Sequence, residues 1–471
     1  MKKYWSRLNM GYERVLLYML QQTEYDVAEY LRWLCRVKDF RKVMKRQNLV
    51  PTRKVKFLFM ALAIFVMLYI GAIFWAVILV NDIWVYFVAI ILILLLPIIA
   101  QYEIVLPLIV GRILIQKPME KKILASAREK FRESPATKIA IVGSYGKTTA
   151  KEVLKTVLEA GKKVAATPGN INQPLGIAKF VNNLDGDEDI LIVEMGEFRQ
   201  GDIAKMCDLV DPNIGFITGV SEAHLTTFGN IKSIVATLFE LRDYLKQKPL
   251  YLNGDNEILR QKNDKYSILY SSNGVKNHTI KNIEIEPLQT KFMFDKENIT
   301  SQLIGKHNVG IVAAAIDLAQ KFGLSHQEIE VGLKNLRPFE HRMKPYILNG
   351  AIVIDDTYNG NLRGVMAGVD LVRDLDGFKR KIYVTPGLVE QGNETVKIHT
   401  EIGHMLAGVF DQIVLIRNST TEHILKGLED KKFRDEITIV DDPLNFYENL
   451  AAFAATGDLI LMQNDWTDNY F

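Results

Sequence analysis

Ile139-Ala140-Ile141-Val142-Gly143-Ser144-Tyr145-Gly146-Lys147-Thr148-Thr149 is the stretch on which the reading of this chain turns. An apolar, β-branched run enters a turn bearing two glycines, and Lys151-Glu-Val-Leu-Lys-Thr-Val-Leu-Glu-Ala then continues with helical spacing. A strand that feeds a glycine-rich turn into a helix N-terminus offers phosphate a set of backbone N–H groups and the positive end of the helix dipole. In such a loop Lys147 reaches the β- and γ-phosphates of ATP, and the Thr148 hydroxyl binds Mg²⁺. Gly143 and Gly146 permit the turn and a close approach of phosphate. Ser144, Tyr145 and Thr149 complete the nucleotide-binding set. The usual P-loop spacing asks for glycine at 141, where this chain has Ile141.

Outward from that loop, short β-rich runs alternate with helical stretches. KVAAT, DILIVEMG, IGFITGV and PLYLNGD are separated by segments of helical pattern, one around 231–246. This rhythm predicts a mainly parallel sheet covered on both faces. Residues 264–304 read as a mixed segment that includes antiparallel strands, and a helix follows near 308–322. The rhythm restarts after 341 with AIVIDD, KIYVTPG, QIVLIR and DLILM. The fold class is therefore α/β: a P-loop central domain at 137–340 and a C-terminal Rossmann-like domain at 341–471.

The front of the chain is different. Residues 57–80 hold no charge in 24 positions, and a second apolar run spans 83–100. Each is close to the roughly 20 residues that cross a bilayer. Residues 57–111 are read as a transmembrane hairpin and 112–136 as a helical linker. Residues 1–56 carry 14 Lys or Arg against five acidic residues, while the link between the spans, Asn81-Asp82, has no positive charge. The positive-inside rule puts both termini and the α/β domains in the cytoplasm. Residues 10–46 read as a basic amphipathic helix suited to an anionic lipid surface or to packing on the soluble part. The bilayer is thus an expected partner. Over 471 residues, a net charge of +3 implies no nucleic acid, and two distant cysteines, Cys35 and Cys207, make neither a disulfide framework nor a zinc site.

Further motifs lie in order along the α/β part: Thr167-Pro-Gly-Asn170-Ile-Asn172, Glu194-Met-Gly196, Ala223-His224-Leu225 with Phe228-Gly229, Leu252-Asn-Gly-Asp255, Gly305-Lys-His-Asn308, His341-Arg342-Met343 and Asp355-Asp356-Thr-Tyr358-Asn359. With the short phosphate loop, this ordered set resembles the Mur ligases, ATP-dependent enzymes that build cell-wall peptides, and is closest to the D-alanyl-D-alanine-adding branch. The resemblance covers about 137–471. It implies an amide ligase using ATP and Mg²⁺ through an acyl phosphate. It assigns catalysis to Lys147, Glu194, His224 and Arg342, and metal to Thr148, Glu194 and His224. It places Asn308 near adenine, Asp356 on the ribose and Arg342 on the γ-phosphate. Asn170, Asn172, Tyr358 and Asn359 fall to substrate. Read alone, His224 is an ordinary histidine, Arg342 a surface ion-pair partner and Asp356 a helix cap.

The chain departs from the family pattern in places. Leu238 stands where many Mur ligases carry a carbamylated lysine, Ile311 where an asparagine is expected, Leu362 for a proline, and Met462-Gln-Asn-Asp465 for a lysine-glycine-serine segment. The hairpin replaces the family's UDP-sugar-binding domain, which implies a membrane-associated carboxylate substrate such as a lipid-linked cell-wall precursor, joined to an amino acid or dipeptide amine. Two alternatives stay open: an amidating subunit fed ammonia by a glutaminase partner, against which two cysteines leave no four-cysteine zinc insert, and a catalytically silent ATP-binding membrane scaffold.

Overall fold

The computed structural model describes residues 2–8, 11–23, 25–43, 49–80, 82–221, 228–358, 360–388 and 391–464. The chain forms two compact units, residues 1–122 and 123–471.

In the first unit, helices Arg53–Val80 and Ile83–Glu103 are each long and apolar enough to cross a membrane, with most side chains exposed. A Tyr69 hydroxyl bond to Leu92 O, at 3.1 Å, ties one to the other. The single helix expected over 10–46 is two helices, Tyr12–Gln22 and Val27–Arg36. The break has a local cause. Tyr25 takes a left-handed φ of 63°, and Asp26 caps the second helix by accepting the Glu29 N–H at 2.8 Å. These helices share a core with the bases of the long pair, in which Leu16, Leu20, Tyr30, Leu58 and Ile104 are buried.

The second unit holds two sheets. The first has ten strands in the order β10-β9-β8-β7-β6-β5-β4-β1-β3-β2. Its parallel part is β1 (Thr137–Val142), β2 (Val164–Ala166), β3 (Ile190–Glu194), β4 (Ile214–Ile217), β5 (Leu250–Asn253) and β6 (Ser267–Ser271). The antiparallel part is β7 (Gly274–Val275), β8 (His278–Glu286), β9 (Gln289–Phe294) and β10 (Glu297–Ser301). Both faces are covered, as continuous apolar strands require. Helices Lys147–Leu158, Lys306–Lys321 and His326–Asn335 close one core; Pro174–Asn182, Asp202–Val210 and Ile231–Leu245 close the other.

The second sheet runs β11 (Lys344–Leu348), β12 (Ala351–Asp356), β16 (Asp458–Gln463), β13 (Arg380–Thr385), β14 (Gln412–Ile416) and β15 (Glu436–Val440), where only β11 is antiparallel. Apolar clusters cover both of its faces. The strand ends that matter are Val142 and Glu194 in the first sheet and Asp356 in the second. Open α/β sheets bind ligands at this carboxyl edge.

Candidate functional site

β1 and β3 pair in parallel with Ile141 opposite Glu194. The loop leaving β1 and the acid ending β3 therefore emerge side by side. Helix Lys147–Leu158 starts directly from Gly146, whose φ is 75°. Its first turn puts the Thr148 hydroxyl on Glu194, Oγ1 donating to Oε2 at 3.0 Å. Gly143, with φ 147°, has no room for a side chain, because a Cβ there would collide with Thr218 Oγ1.

Lys147 Nζ is held back over the loop by the Gly143 carbonyl and lies 3.3 Å from Glu197 Oε2, a buried carboxylate. The Ser144 hydroxyl oxygen is buried and has no hydrogen-bond partner among the described residues. A buried hydroxyl without a partner in a phosphate-type loop is compatible with a ligand at that position. Tyr145 differs from the expectation: its side chain turns inward, against Gly219, and its OH accepts from Asn256 Nδ2 at 3.0 Å. Burial raises its phenol above the ordinary range. Only its backbone is available to a nucleotide. The Leu252–Asp255 motif braces this loop from behind: Asn253 Nδ2 donates to Thr218 O at 2.9 Å, and the Thr218 hydroxyl donates to Tyr145 O. Thr149 lies half-buried in the same first turn.

The Thr167–Asn172 loop comes in beside Glu194. Thr167 Oγ1 accepts the Glu194 N–H at 3.1 Å, and Asn172 Nδ2 donates to Glu194 Oε1 at 3.3 Å. Lys151 binds this loop to the acid. It is fully buried, donates to the Gly169 carbonyl and lies 3.3 Å from Glu194 Oε2. Sequence reading passes over Lys151 because a lysine one turn into an amphipathic helix reads as a solvated face. Its signal is a four-residue step from Lys147, which returns it to the loop side. The hydroxyl and carboxylate oxygens of Thr148 and Glu194 form the hard donor set that Mg²⁺ prefers.

From the second sheet, Arg342 reaches this cluster: its NH2 nitrogen donates to Thr148 Oγ1 at 3.3 Å. It also lies over the Tyr358 ring, 4.3 Å from the centroid, while Asn170 Nδ2 donates to the Tyr358 hydroxyl at 3.1 Å. Two acids hold the turn that carries Arg342. Asp355 Oδ2 pairs with His341 Nδ1 at 2.8 Å, and Asp356 Oδ1 accepts the Met343 N–H at 3.2 Å. His341 and Met343 both take left-handed φ values, 58° and 46°, so the turn is costly and needs such pins. Asp356 also accepts from Gln463 Nε2 at 2.7 Å, and burial pushes its carboxyl up to about 7.

Asn308 is buried, and its Nδ2 donates to Ile304 O at 2.8 Å, so Oδ1 is the part of its side chain left to meet a ligand. Leu238 and Ile311 are buried in the apolar cores. His224 and Asn359 lie outside the described residues.

Replacing Lys151 with Met leaves Glu194 buried without its counter-charge. Thermal unfolding of Lys151→Met should show a loss of about 3 kcal/mol, partly regained when Glu194→Gln is added; an unchanged melting temperature contradicts this. Asp356 gives a pH test. Its folded value lies above its unfolded 3.8, so its contribution is complete below pH 4 and is lost as pH rises through 7. In Asp356→Asn, the fall in melting temperature between pH 5 and pH 8 should be smaller than in the parent chain.

Comparison with known proteins assigns both α/β domains to one family. The Mur ligase middle domain matches residues 141–319, and the glutamate ligase domain of Mur ligases matches 341–463. A UDP-N-acetylmuramoyl-tripeptide–D-alanyl-D-alanine ligase of Synechocystis is 29% identical over 312 residues, 64% of this chain and 67% of that protein. The ligase of the same name from Haemophilus influenzae is 28% identical over 335 residues, 68% of this chain and 72% of that protein. Among solved structures, MurF ligase from Thermotoga maritima in complex with ADP gives a TM-score of 0.63 at 26% identity, covering 74% of this chain and 80% of that one. MurF from Acinetobacter baumannii shares the fold with a TM-score of 0.64 at 22% identity, covering 73% and 77%. With both catalytic-region domains matched and the motifs in order, the chain belongs to the Mur ligase family of ATP-dependent ligases.

Proposed function

We propose that this protein is a membrane-anchored ligase that activates a carboxylate of a cell-wall peptide precursor as an acyl phosphate and joins it to an amine. The observation that carries the reading is the meeting of Thr148, Glu194 and Arg342, drawn from segments of both sheets, directly beside Lys147 in the loop. In this reading a carboxylate oxygen attacks the γ-phosphorus of ATP, the bond to the β-phosphate oxygen breaks, and ADP leaves. The amine nitrogen then attacks the acyl carbon, the C–O bond to phosphate breaks, and the amine gives up a proton. Both steps develop negative charge on phosphoryl or carbonyl oxygens, so cations and oriented N–H groups serve them better than a nucleophilic side chain.

The residues divide that work. The loop 143–149 holds the phosphates through its backbone, and Lys147 turns from Gly143 O onto them. Arg342, pinned by Asp355 and Asp356, covers the transferred group. Mg²⁺, held by Thr148 and Glu194, would neutralise phosphate charge when bound. Asn170, Asn172 and Tyr358 line the approach for the acceptor, and His224 would add a further metal ligand. Asn308 serves the adenine and Asp356 the ribose.

The relatives' name supplies the substrate pair by analogy: a UDP-linked muramoyl tripeptide and D-alanyl-D-alanine. The hairpin outside the matched domains favours a lipid-linked acceptor in this chain, with the α/β unit on the cytoplasmic face. Leu238, fully buried, supports the silent-scaffold alternative, since it supplies no metal-ordering group.

Phosphate release by the full chain in nanodiscs, with amine donors set against soluble and lipid-linked acceptors, tests the proposal. Turnover is expected with a dipeptide and a lipid-linked acceptor, and Lys147→Ala should lower it by at least a thousandfold. Arg342→Lys should cut kcat far more than it raises KM. Equal turnover of both acceptors removes the membrane element, and tight ATP binding without release under every pairing selects the scaffold.

A further inference from the structure

The first unit contains a cavity of about 400 Å³ between its N-terminal segment and the two long apolar helices. Its polar end carries Arg7 and Glu13; its apolar wall is Leu62 and Val66 of one helix and Leu96 and Pro97 of the other. The polar end is built around Gln101, which is 2% exposed. Gln101 Oε1 accepts from Arg7 Nε at 3.2 Å and from the Tyr12 hydroxyl at 3.0 Å, while its carbonyl accepts from the Tyr30 hydroxyl at 3.0 Å. The N-terminal segment lies along the second helix, since the Tyr4 hydroxyl also donates to Leu94 O at 2.8 Å.

Arg7 is therefore fixed in place by a neutral group. Its guanidinium lies 5.4 Å from the centre of the Phe40 ring, and among the described residues no carboxylate pairs with it. A guanidinium held at the edge of an apolar chamber strongly favours an oxyanion that matches its planar fork. The chamber wall comes from the first half of one helix and the second half of the other, the part that the charge pattern assigns to the cytoplasmic leaflet. A soluble anion has no use for that apolar wall. An amphiphile fills both ends.

We propose that this cavity binds one anionic phospholipid of the cytoplasmic leaflet, its phosphate on Arg7 and the upper part of an acyl chain along Leu62, Val66 and Leu96. The site rests on the reading of the two long helices as membrane spans. It goes beyond the ligase reading, because it makes occupancy by a bilayer lipid part of how the N-terminal helices are held on the hairpin.

Native mass spectrometry of the full chain, delipidated in detergent and titrated with phosphatidylglycerol or phosphatidylcholine, tests it. One phosphatidylglycerol should be retained, at least fivefold more tightly than phosphatidylcholine. Arg7→Gln, which keeps a donor for Gln101 but loses the charge, should weaken retention about fivefold. Val66→Trp, which fills the wall, should do the same, and Lys56→Gln, at a basic residue not among those lining the cavity, should leave it unchanged. Equal retention of the two lipids, or equal effects of Arg7→Gln and Lys56→Gln, overturns the proposal. An alkaline carbonate wash separates the two levels: release of the chain from membranes removes the spans and the lipid site together, whereas a retained chain without bound lipid removes the site alone.

Discussion

The pairing register of β1 and β3 is the constraint on which the site depends. With Ile141 opposite Glu194, the acid appears at the same height as the loop that follows β1, and the first helical turn then sets Thr148 Oγ1 3.0 Å from it. A slip of one residue would turn Glu194 to the other face of the sheet. The register is secured by burial: all of β3 and all but the first residue of β1 are buried, with apolar side chains feeding both cores. Lys151 is the electrostatic counterpart of that register, since a carboxylate 2% exposed needs a cation close by.

The second constraint is the turn at 341–343. Two non-glycine residues in left-handed conformation are kept there by adjacent aspartates at the end of β12. Motifs separated by a strand and a turn in the sequence thus act as one bracket, and what the bracket presents is Arg342. Its partners, Thr148 and Tyr358, link the phosphate loop to the Asn170 loop, so the three segments share one short network. Asp356 consequently has a local task, holding Met343, in addition to the ribose contact proposed for it.

Much of this was legible in the sequence because strand, loop and helix carry strong local signals. The strand-glycine-helix order of 139–158 predicts a phosphate loop, and the alternation of β-rich and helical segments predicts a mainly parallel sheet. What escaped depends on contacts between distant segments. Lys151 looks solvated until the 167–172 loop folds over it. Tyr145 looks like a loop residue facing ligand until Gly219 leaves room for its ring. Glu197 carries no motif of its own and is defined only by Lys147. The break at Tyr25–Asp26 rests on one left-handed residue and one capping aspartate, and the apolar spacing on either side conceals it.

The site thus depends on Thr148 and Glu194 acting as a unit. A double-mutant cycle on Mg-ATP affinity, using Thr148→Val and Glu194→Gln in the full chain, measures this directly. If the two oxygens share one metal, the double variant should lose little more affinity than the more severe single variant. Losses that simply add would mean that the two side chains act separately, and would contradict the account.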